Sequence, residues 1–292
     1  MLEGRIIKGV GGFYYVNVEE DIIECRARGI FREQKITPLV GDIVRIRIST
    51  EDNSGYIEEI MDRNSELIRP PVANVTQVVV VASVKNPELN TWLVDKILVM
   101  AEEKNLNITI CINKADLDLQ RSEELKCLYS NAGYTVILTS KITGLGIEEL
   151  RNKLKDNINV FAGPSGVGKS SLLNTLNPLF KLETGDVSRK TQRGKHTTRH
   201  VELLKLEKNT FILDTPGFSS FELDFIEDYR DLRHYFRDIE KYNGKCGFNS
   251  CIHLNEPKCA VKDAVGDGKL SRERYENYLL ILDELKNRKR RY

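Results

Sequence analysis

The order of two short motifs constrains this chain more tightly than any other feature. Residues 159–174 read NVFAGPSGVGKSSLLN, and Gly163–Ser170 within them spell G-x-x-x-x-G-K-S between an apolar strand and a helical run. A glycine-rich turn that feeds backbone N–H groups into a helix N-terminus makes an anion cradle suited to phosphate. Upstream of it, residues 109–116 read TICINKAD, so an Asn-Lys-x-Asp string closes another apolar strand. A carboxylate in that place accepts from the ring N–H and the exocyclic amine of guanine. Adenine offers no such pair, and the wrong base would leave a desolvated carboxylate unpaired. Guanine-nucleotide sheets ordinarily present the phosphate turn first and the base reader last. Here the order is reversed, which predicts an α/β sheet whose strands are visited in rotated sequence.

Each residue type has a task in this scheme. Gly163, Gly166 and Gly168 permit the turn, Lys169 reaches the β- and γ-phosphates, and the Ser170 hydroxyl holds Mg²⁺. In ILDTPGF (212–218), Asp214 ends an apolar strand and acts on Mg²⁺ as a Walker-B carboxylate, while the Gly217 N–H meets the γ-phosphate. Between them GKHTTRH (194–200) offers a threonine to complete the Mg²⁺ shell, with Thr198 favoured over Thr197. In the reader itself Asp116 takes the base, Asn113 contacts its edge and the Lys114 stem lies over the ring. TSK (139–141), closing the next strand, fits a companion loop at Ser140 and Lys141 whose N–H groups meet the guanine oxygen.

The surrounding rhythm supplies the scaffold. QVVVVAS, NITICIN, YTVILTS and NVFAG read as strands, and NTWLVDKILVMAEEKN, SEELKCLYSNAG, GIEELRNKLKDN and KSSLLNTL as helices. That alternation predicts βαβ units and a mostly parallel sheet covered on both faces. HVELLKLEKNTFILDTPG adds a hairpin around Glu207–Asn209. A parallel sheet tolerates rotation of its order when the former termini lie close and become joined. GIEELRNKLKDN, feeding the phosphate-turn strand directly, is the expected joint.

Three domains are expected: residues 1–68, 69–220 and 221–292. The first reads as all-β, with a hairpin turning at Gly11–Gly12 and short strands in DIIECRARGIF, GDIVRIRIS and GYIEEIM. The five-stranded OB-fold is the leading solution and another small barrel the alternative. OB barrels often bind RNA; Phe13, Tyr14 and Tyr15 are candidate stackers, although alternation sends some of them into the core. RPPVANV marks the boundary to the sheet domain. The last domain is helical and polar, ends in the long helix SRERYENYLLILDELKNRK, and carries Cys246-x4-Cys251-x-His253-x5-Cys259. Three thiolates and one imidazole make a closed tetrahedral site of the structural zinc kind. In so polar a segment zinc would supply folding energy that a small core cannot. Cys25, Cys111 and Cys127 read as ordinary apolar positions.

Composition bounds the partners. A net charge of +1 on 292 residues announces no bulk basic field, although residues 188–200 and 286–292 are basic runs. The tail reads equally as a solvated end or an arm that touches nucleic acid. The N-terminus has no signal-peptide core, and VTQVVVVASV and WLVDKILVM are too short to span a bilayer. A reducing cytoplasm suits cysteines in this pattern.

With NKAD, GPSGVGKSS, HTTRH, DTPGF and the Cys/His cluster in that order, the whole chain resembles the circularly permuted bacterial GTPase family RsgA. The resemblance implies a multidomain α/β protein: an N-terminal OB-fold, a circularly permuted P-loop GTPase domain and a C-terminal helical zinc-binding module. It implies Mg²⁺-dependent hydrolysis of GTP to GDP, stimulated by the small ribosomal subunit during late maturation of that subunit. It also implies ribosomal RNA binding, one zinc ion, no membrane association and a monomer. Carried over, GTP binding falls on Asn113, Lys114, Ala115 and Asp116 and on Gly163, Pro164, Ser165, Gly166, Val167, Gly168, Lys169, Ser170 and Ser171. Zinc falls on Cys246, Cys251, His253 and Cys259. Phe218 stands where Ras-like enzymes place a water-orienting Gln. His196 is then the candidate to position water, beside Lys169 and Thr198 as the catalytic set. Gly166 stands where potassium-dependent GTPases carry Asn, which argues against potassium activation. The rotated order also hangs the zinc module directly behind DTPGF, so loss of the γ-phosphate can change how that module sits on a partner. A nucleotide-stabilised RNA-binding scaffold with negligible catalysis is the alternative, favoured by the missing Gln. A P-loop kinase or ATPase is disfavoured by NKAD.

Overall fold

Alternating apolar residues in the first strands need an interior to fill, and closure of the sheet provides it. In the computed structural model, which describes residues 1–49, 54–68, 70–183, 201–213 and 223–288, five strands close into a barrel. They are β1 (Leu2–Val10), β2 (Phe13–Val18), β3 (Asp21–Ala27), β4 (Ile43–Ile48) and β5 (Gly55–Ile60), in the order β1-β2-β3-β5-β4. The β1–β4 pair is antiparallel and closes the ring, while β3–β5 is parallel. This is the OB arrangement, and it leaves no free sheet edge. Ile6, Val16, Cys25, Val44, Ile46 and Ile57 fill the interior.

Phe13, Tyr14 and Tyr15 are all only half-buried, so none of them fills the core as alternation suggested. They sit beside the Gly11–Gly12 turn at the barrel's end. There the Phe13 ring lies under the Arg26 guanidinium at 4.8 Å, and the Tyr15 hydroxyl donates to Glu24 at 3.1 Å. The expected third strand also stops early. Gly29–Glu33 form a short helix α1 that buries Phe31. The Pro-rich boundary is not a plain linker: β6 (Glu66–Ile68) and β7 (Pro71–Ala73) make a small antiparallel hairpin. Proline at a strand's first position gives up no ladder bond.

The remaining strands build the six-stranded sheet. The chain divides into two units, Met1–Gln77 with Arg151–Phe161 and Leu173–Ser219, and Val78–Leu150 with Ala162–Leu172 and Ser220–Tyr292. In the second unit β8 (Gln77–Ser83), α2 (Thr91–Glu103), β9 (Asn107–Asn113), α3 (Leu119–Asn131) and β10 (Thr135–Thr139) follow one another, with β9 and β10 parallel. Every residue of β8 is buried, as a strand covered on both faces requires. Asn90 and Asp118 cap α2 and α3 through their side-chain oxygens. Then come α4 (Ile147–Leu154), β11 (Ile158–Ala162), α5 (Lys169–Leu176), β12 (Leu203–Glu207) and β13 (Thr210–Leu213). β11 and β13 are parallel, and β12 returns antiparallel to β13. Among the described residues a 3-10 segment (Tyr229–Tyr235) is followed by α6 (Arg237–Glu240), α7 (Ala260–Gly266) and α8 (Arg272–Arg288).

The C-terminal segment is polar in composition but not coreless. Leu232, Phe236, Ile239, Val261, Tyr278, Ile281 and Leu282 pack together with Val99 of α2. Within this core Arg274 of α8 is 1% exposed. It grips Asp238 with two N–H groups at 2.9 and 3.0 Å and also donates to Asp95. Asn277 supplies Asp95 with a second bond at 2.8 Å. Burial pushes the Asp95 carboxyl up to about 6 even beside the guanidinium. Removing the cation would strand two buried carboxylates. Arg274→Ala is therefore expected to destabilise the protein by about 3–5 kcal/mol, read from urea unfolding.

Candidate active site and metal centre

The base-reading string and the phosphate turn meet in the second unit. β9 ends at Asn113, and Lys114 takes a left-handed conformation, φ +59°. That turn buries Ala115 and leaves Asp116 exposed at the start of a short 3-10 segment. Asn113 Nδ2 donates to the Val167 carbonyl at 2.9 Å. The Lys114 ammonium donates to the Gly166 carbonyl at 2.9 Å and to the Asn86 carbonyl. Two residues of the reader are thus cross-braced to the phosphate turn. With its ammonium engaged by two carbonyls, the Lys114 side chain is tethered at its tip.

The turn itself is shaped by what its glycines lack. A Cβ on Gly163, φ +147°, would run into the Val81 carbonyl oxygen, and one on Gly168 would lie 2.6 Å from Asn113 Nδ2. Gly163→Ala is expected to reduce guanine-nucleotide binding by more than about a hundredfold, measured by titration calorimetry, since the Val81 carbonyl is part of a buried strand's backbone and cannot yield cheaply. Lys169 opens α5, and its ammonium donates to the Gly163 and Pro164 carbonyls at 2.7 and 2.8 Å. Burial lowers its pKa. Val167 is buried, while Pro164, Gly166, Ser170 and Ser171 are half-exposed and Ser165 is open. In the companion loop Ser140 is buried, and its Oγ accepts from Ile142 and Thr143 N–H at 3.1 and 3.2 Å, while Lys141 is exposed. His196, Thr198, Asp214 and Gly217 lie outside the described residues.

Four side chains converge in the C-terminal segment. The Sγ atoms of Cys246, Cys251 and Cys259 lie 3.6, 3.5 and 3.4 Å from His253 Nδ1, and all four ligand atoms lie within 4.8 Å of one another. A tetrahedral ion with Zn–S of about 2.3 Å and Zn–N of about 2.0 Å places sulfur and nitrogen about 3.5 Å apart. The donor set fits such an ion in kind and in spacing. Burial lowers the His253 pKa, keeping the ring neutral as a ligand must be. Of the other cysteines, Cys25 and Cys111 are buried, while Cys127 is exposed on α3 rather than apolar-facing.

Comparison with known proteins bears on these sites. Residues 60–224 match the family model for the RsgA GTPase, and residues 3–57 match that for the RsgA N-terminal domain. A protein of Caldanaerobacter subterraneus subsp. tengcongensis described as "Small ribosomal subunit biogenesis GTPase RsgA" is 49% identical, covering 100% of this chain and 98% of its own. One of Alkaliphilus metalliredigens with the same description is 50% identical, covering 99% and 100%. The chain belongs to the RsgA GTPase family. Among solved structures, YloQ, described as a circularly permuted GTPase, superposes with a TM-score of 0.81 at 42% identity, over 99% of this chain and 96% of that one. YjeQ from Thermotoga maritima gives 0.82 at 40%, over 97% and 98%. Circular permutation in the RsgA family is the rotated order that the motifs displayed.

Sequence reasoning missed two contacts around the base-reading string. The Asn86 carbonyl that meets the Lys114 ammonium carries no side-chain signature, because any residue offers one. The bond from the hydroxyl of Thr139, in the companion TSK string, to Asn113 Oδ1 at 3.1 Å is the other. Only the strand pairing Thr139↔Asn113 brings those two together.

Proposed function

We propose that this chain hydrolyses GTP to GDP and phosphate on the small ribosomal subunit, late in that subunit's maturation. The observation that carries the reading is the brace by which Asn113 and Lys114 hold the guanine reader against the phosphate turn. A site built that way selects base and phosphate together. In this reading Asp116 accepts from the guanine edge, and the backbone N–H groups of 163–171 cradle the phosphates. Lys169 leaves its carbonyl partners to neutralise charge that builds on the β- and γ-oxygens. Ser170, Thr198 and Asp214 would hold Mg²⁺, which when bound would supply charge neutralisation for the phosphoryl oxygens. His196 positions the attacking water in place of the Gln that Phe218 replaces, and the docking of RNA completes that arrangement.

The domain division is residues 1–68, 69–220 and 221–292. The barrel and the C-terminal module contact ribosomal RNA, and Cys246, Cys251, His253 and Cys259 hold one structural zinc ion. The protein acts as a cytoplasmic monomer. No helix among the described residues is long and apolar enough to cross a membrane.

The test is steady-state GTP turnover by the purified protein, alone and with small or large ribosomal subunits. Strong stimulation by small subunits only is expected. Tight GTP binding without stimulated turnover would favour an RNA-binding scaffold with negligible catalysis.

A further inference from the structure

We propose that the cavity between the barrel and the β12–β13 hairpin is a second ligand site, which takes a small phosphate monoester with Arg5 and Lys208 as its anion-binding groups. None of its residues belongs to the nucleotide site.

The cavity has a volume of about 260 Å³, many times what a single water needs. Strands β1, β2 and β4 and the hairpin line it, all within the first unit. The half-buried Arg5 guanidinium lies 5.6 Å from the centre of the buried Phe211 ring, and Nη1 donates to the Gly41 carbonyl at 2.8 Å. That bond uses one of an arginine's five N–H donors. Its Nε–Nη2 edge, the fork that grips carboxylate and phosphate, has no partner among the described residues. The acid whose field it feels, Asp42, is already engaged. Arg63 binds both Asp42 oxygens, at 2.7 and 2.8 Å, and the Leu39 N–H donates to one of them at 2.7 Å. Burial lowers the Arg5 pKa, the mark of a charge that water reaches poorly. A cation so placed without a counter-ion is costly, and an oxyanion arriving there offsets the cost.

The hairpin adds a second cation. Lys208 stands exposed at its tip, between β12 and β13, and its ammonium has no partner among the described residues. Lys205 has another task. Its ammonium donates to the Glu19 carbonyl at 2.7 Å and meets Glu20 at 3.3 Å, which ties the hairpin to the β2–β3 turn.

The remaining lining selects among anions. Buried Asn17 gives both N–H groups to the Glu19 and Asp21 carbonyls, at 3.1 and 3.2 Å, and keeps Oδ1 as an acceptor. Glu3 and Glu19 bring exposed carboxylates. These groups accept from hydroxyls and repel a polyanion. One phosphate on a hydroxylated carbon frame therefore suits the cavity: the oxyanion on Arg5 and Lys208, the hydroxyls on Asn17 and the glutamates.

The experiment is titration calorimetry of the full chain, kept saturated with GDP so that the phosphate turn is filled. Ribose 5-phosphate is the probe, with ribose and inorganic phosphate as comparisons. Wild type is expected to bind the probe with a Kd below about 1 mM, to bind inorganic phosphate at least about fivefold more weakly, and to ignore ribose. Arg5→Gln is expected to weaken the probe by at least about tenfold and Lys208→Glu by about fivefold, with GDP affinity unchanged in both. Should Arg5→Gln unsettle the barrel by leaving Phe211 uncovered, Lys208→Glu on its exposed turn carries the test. Binding of ribose as tight as the probe, affinity that both variants retain, or no binding below about 10 mM would overturn the proposal. So would release of GDP by the probe, which would place its phosphate in the phosphate turn instead.

Discussion

Asp116→Asn is expected to lower GDP affinity by at least about a hundredfold and to admit xanthine nucleotides in its place. A carboxylate accepts twice, from the guanine ring N–H and its exocyclic amine, and both bonds gain from the charge. An amide keeps one acceptor and turns a donor toward the amine, so one bond is lost and a donor–donor clash replaces it. Xanthine carries a carbonyl where guanine has the amine, and that carbonyl suits the new N–H. The frame around the substitution should not move. Asp116 is exposed, Ala115 beside it is buried, and Lys114 is tied to Gly166. Thermal stability without ligand should therefore change by less than about 0.5 kcal/mol. Competition of GDP, XDP and ADP against a fluorescent guanine nucleotide reads the result directly. Undiminished GDP binding would remove Asp116 from the base site.

How much of this was legible in the sequence depended on how local each signal was. β8, β9 and β10 are runs of Val, Ile and Thr that declare themselves, and the phosphate turn is a contiguous string whose context can be read on either side. The short helix at Gly29–Glu33 was hidden, because apolar Ile30 and Phe31 continue the look of the strand before it. The β6–β7 hairpin was hidden by prolines that usually mark linkers. The polar character of α8 concealed Arg274, whose two carboxylate partners lie 36 and 179 residues away. Periodicity assigns an arginine to the solvent face, and only the arrival of Asp95 and Asp238 from other helices makes burial tolerable. Thr139 was opaque for a related reason. A hydroxyl's role is set by what faces it, and its partners at 111 and 113 arrive only through strand pairing. Motifs made of backbone conformation can be read locally; those made of tertiary hydrogen bonds cannot.

The same distinction governs what metal removal should do. Cys251→Ser, or a strong chelator, is expected to abolish zinc binding and to loosen residues 246–259 while α8 stays docked on α2. A segment whose small core could not hold without zinc would collapse as a whole. Instead Tyr278, Ile281, Leu282 and Leu285 share a core with Val99, and α8 is tied to α2 directly, by Lys96 to Glu284 at 2.8 Å and by Asn277 to Asp95 at 2.8 Å. The loop is different. Its own bonds are few: Gly247 N–H to the Lys258 carbonyl at 2.8 Å, Cys251 N–H to the Phe248 carbonyl at 3.2 Å, and the Ile252 and Leu254 N–H groups to Glu256 at 2.9 and 2.8 Å. It is pinned to α8 by the Tyr275 and Tyr278 hydroxyls, which donate to the His253 and Ile252 carbonyls at 2.6 and 2.8 Å. His253 also sits at φ +62°, a conformation that costs energy in an imidazole-bearing residue unless something holds it. Burial pushes the Cys251 thiol up to about 12 and raises that of Cys259, so without a divalent cation these two sulfurs stay neutral and make only weak contacts. A tetrahedral ion replaces those weak contacts with four strong ones. Its loss should cost the loop on the order of 5 kcal/mol, below the full worth of zinc in an isolated finger because α8 retains part of the order. Zinc stoichiometry and amide hydrogen exchange together check this. Protection should fall across 246–259 and persist across 272–288. Undiminished protection in the loop after the metal is gone would mean that the tyrosine pins, not the ion, carry its fold.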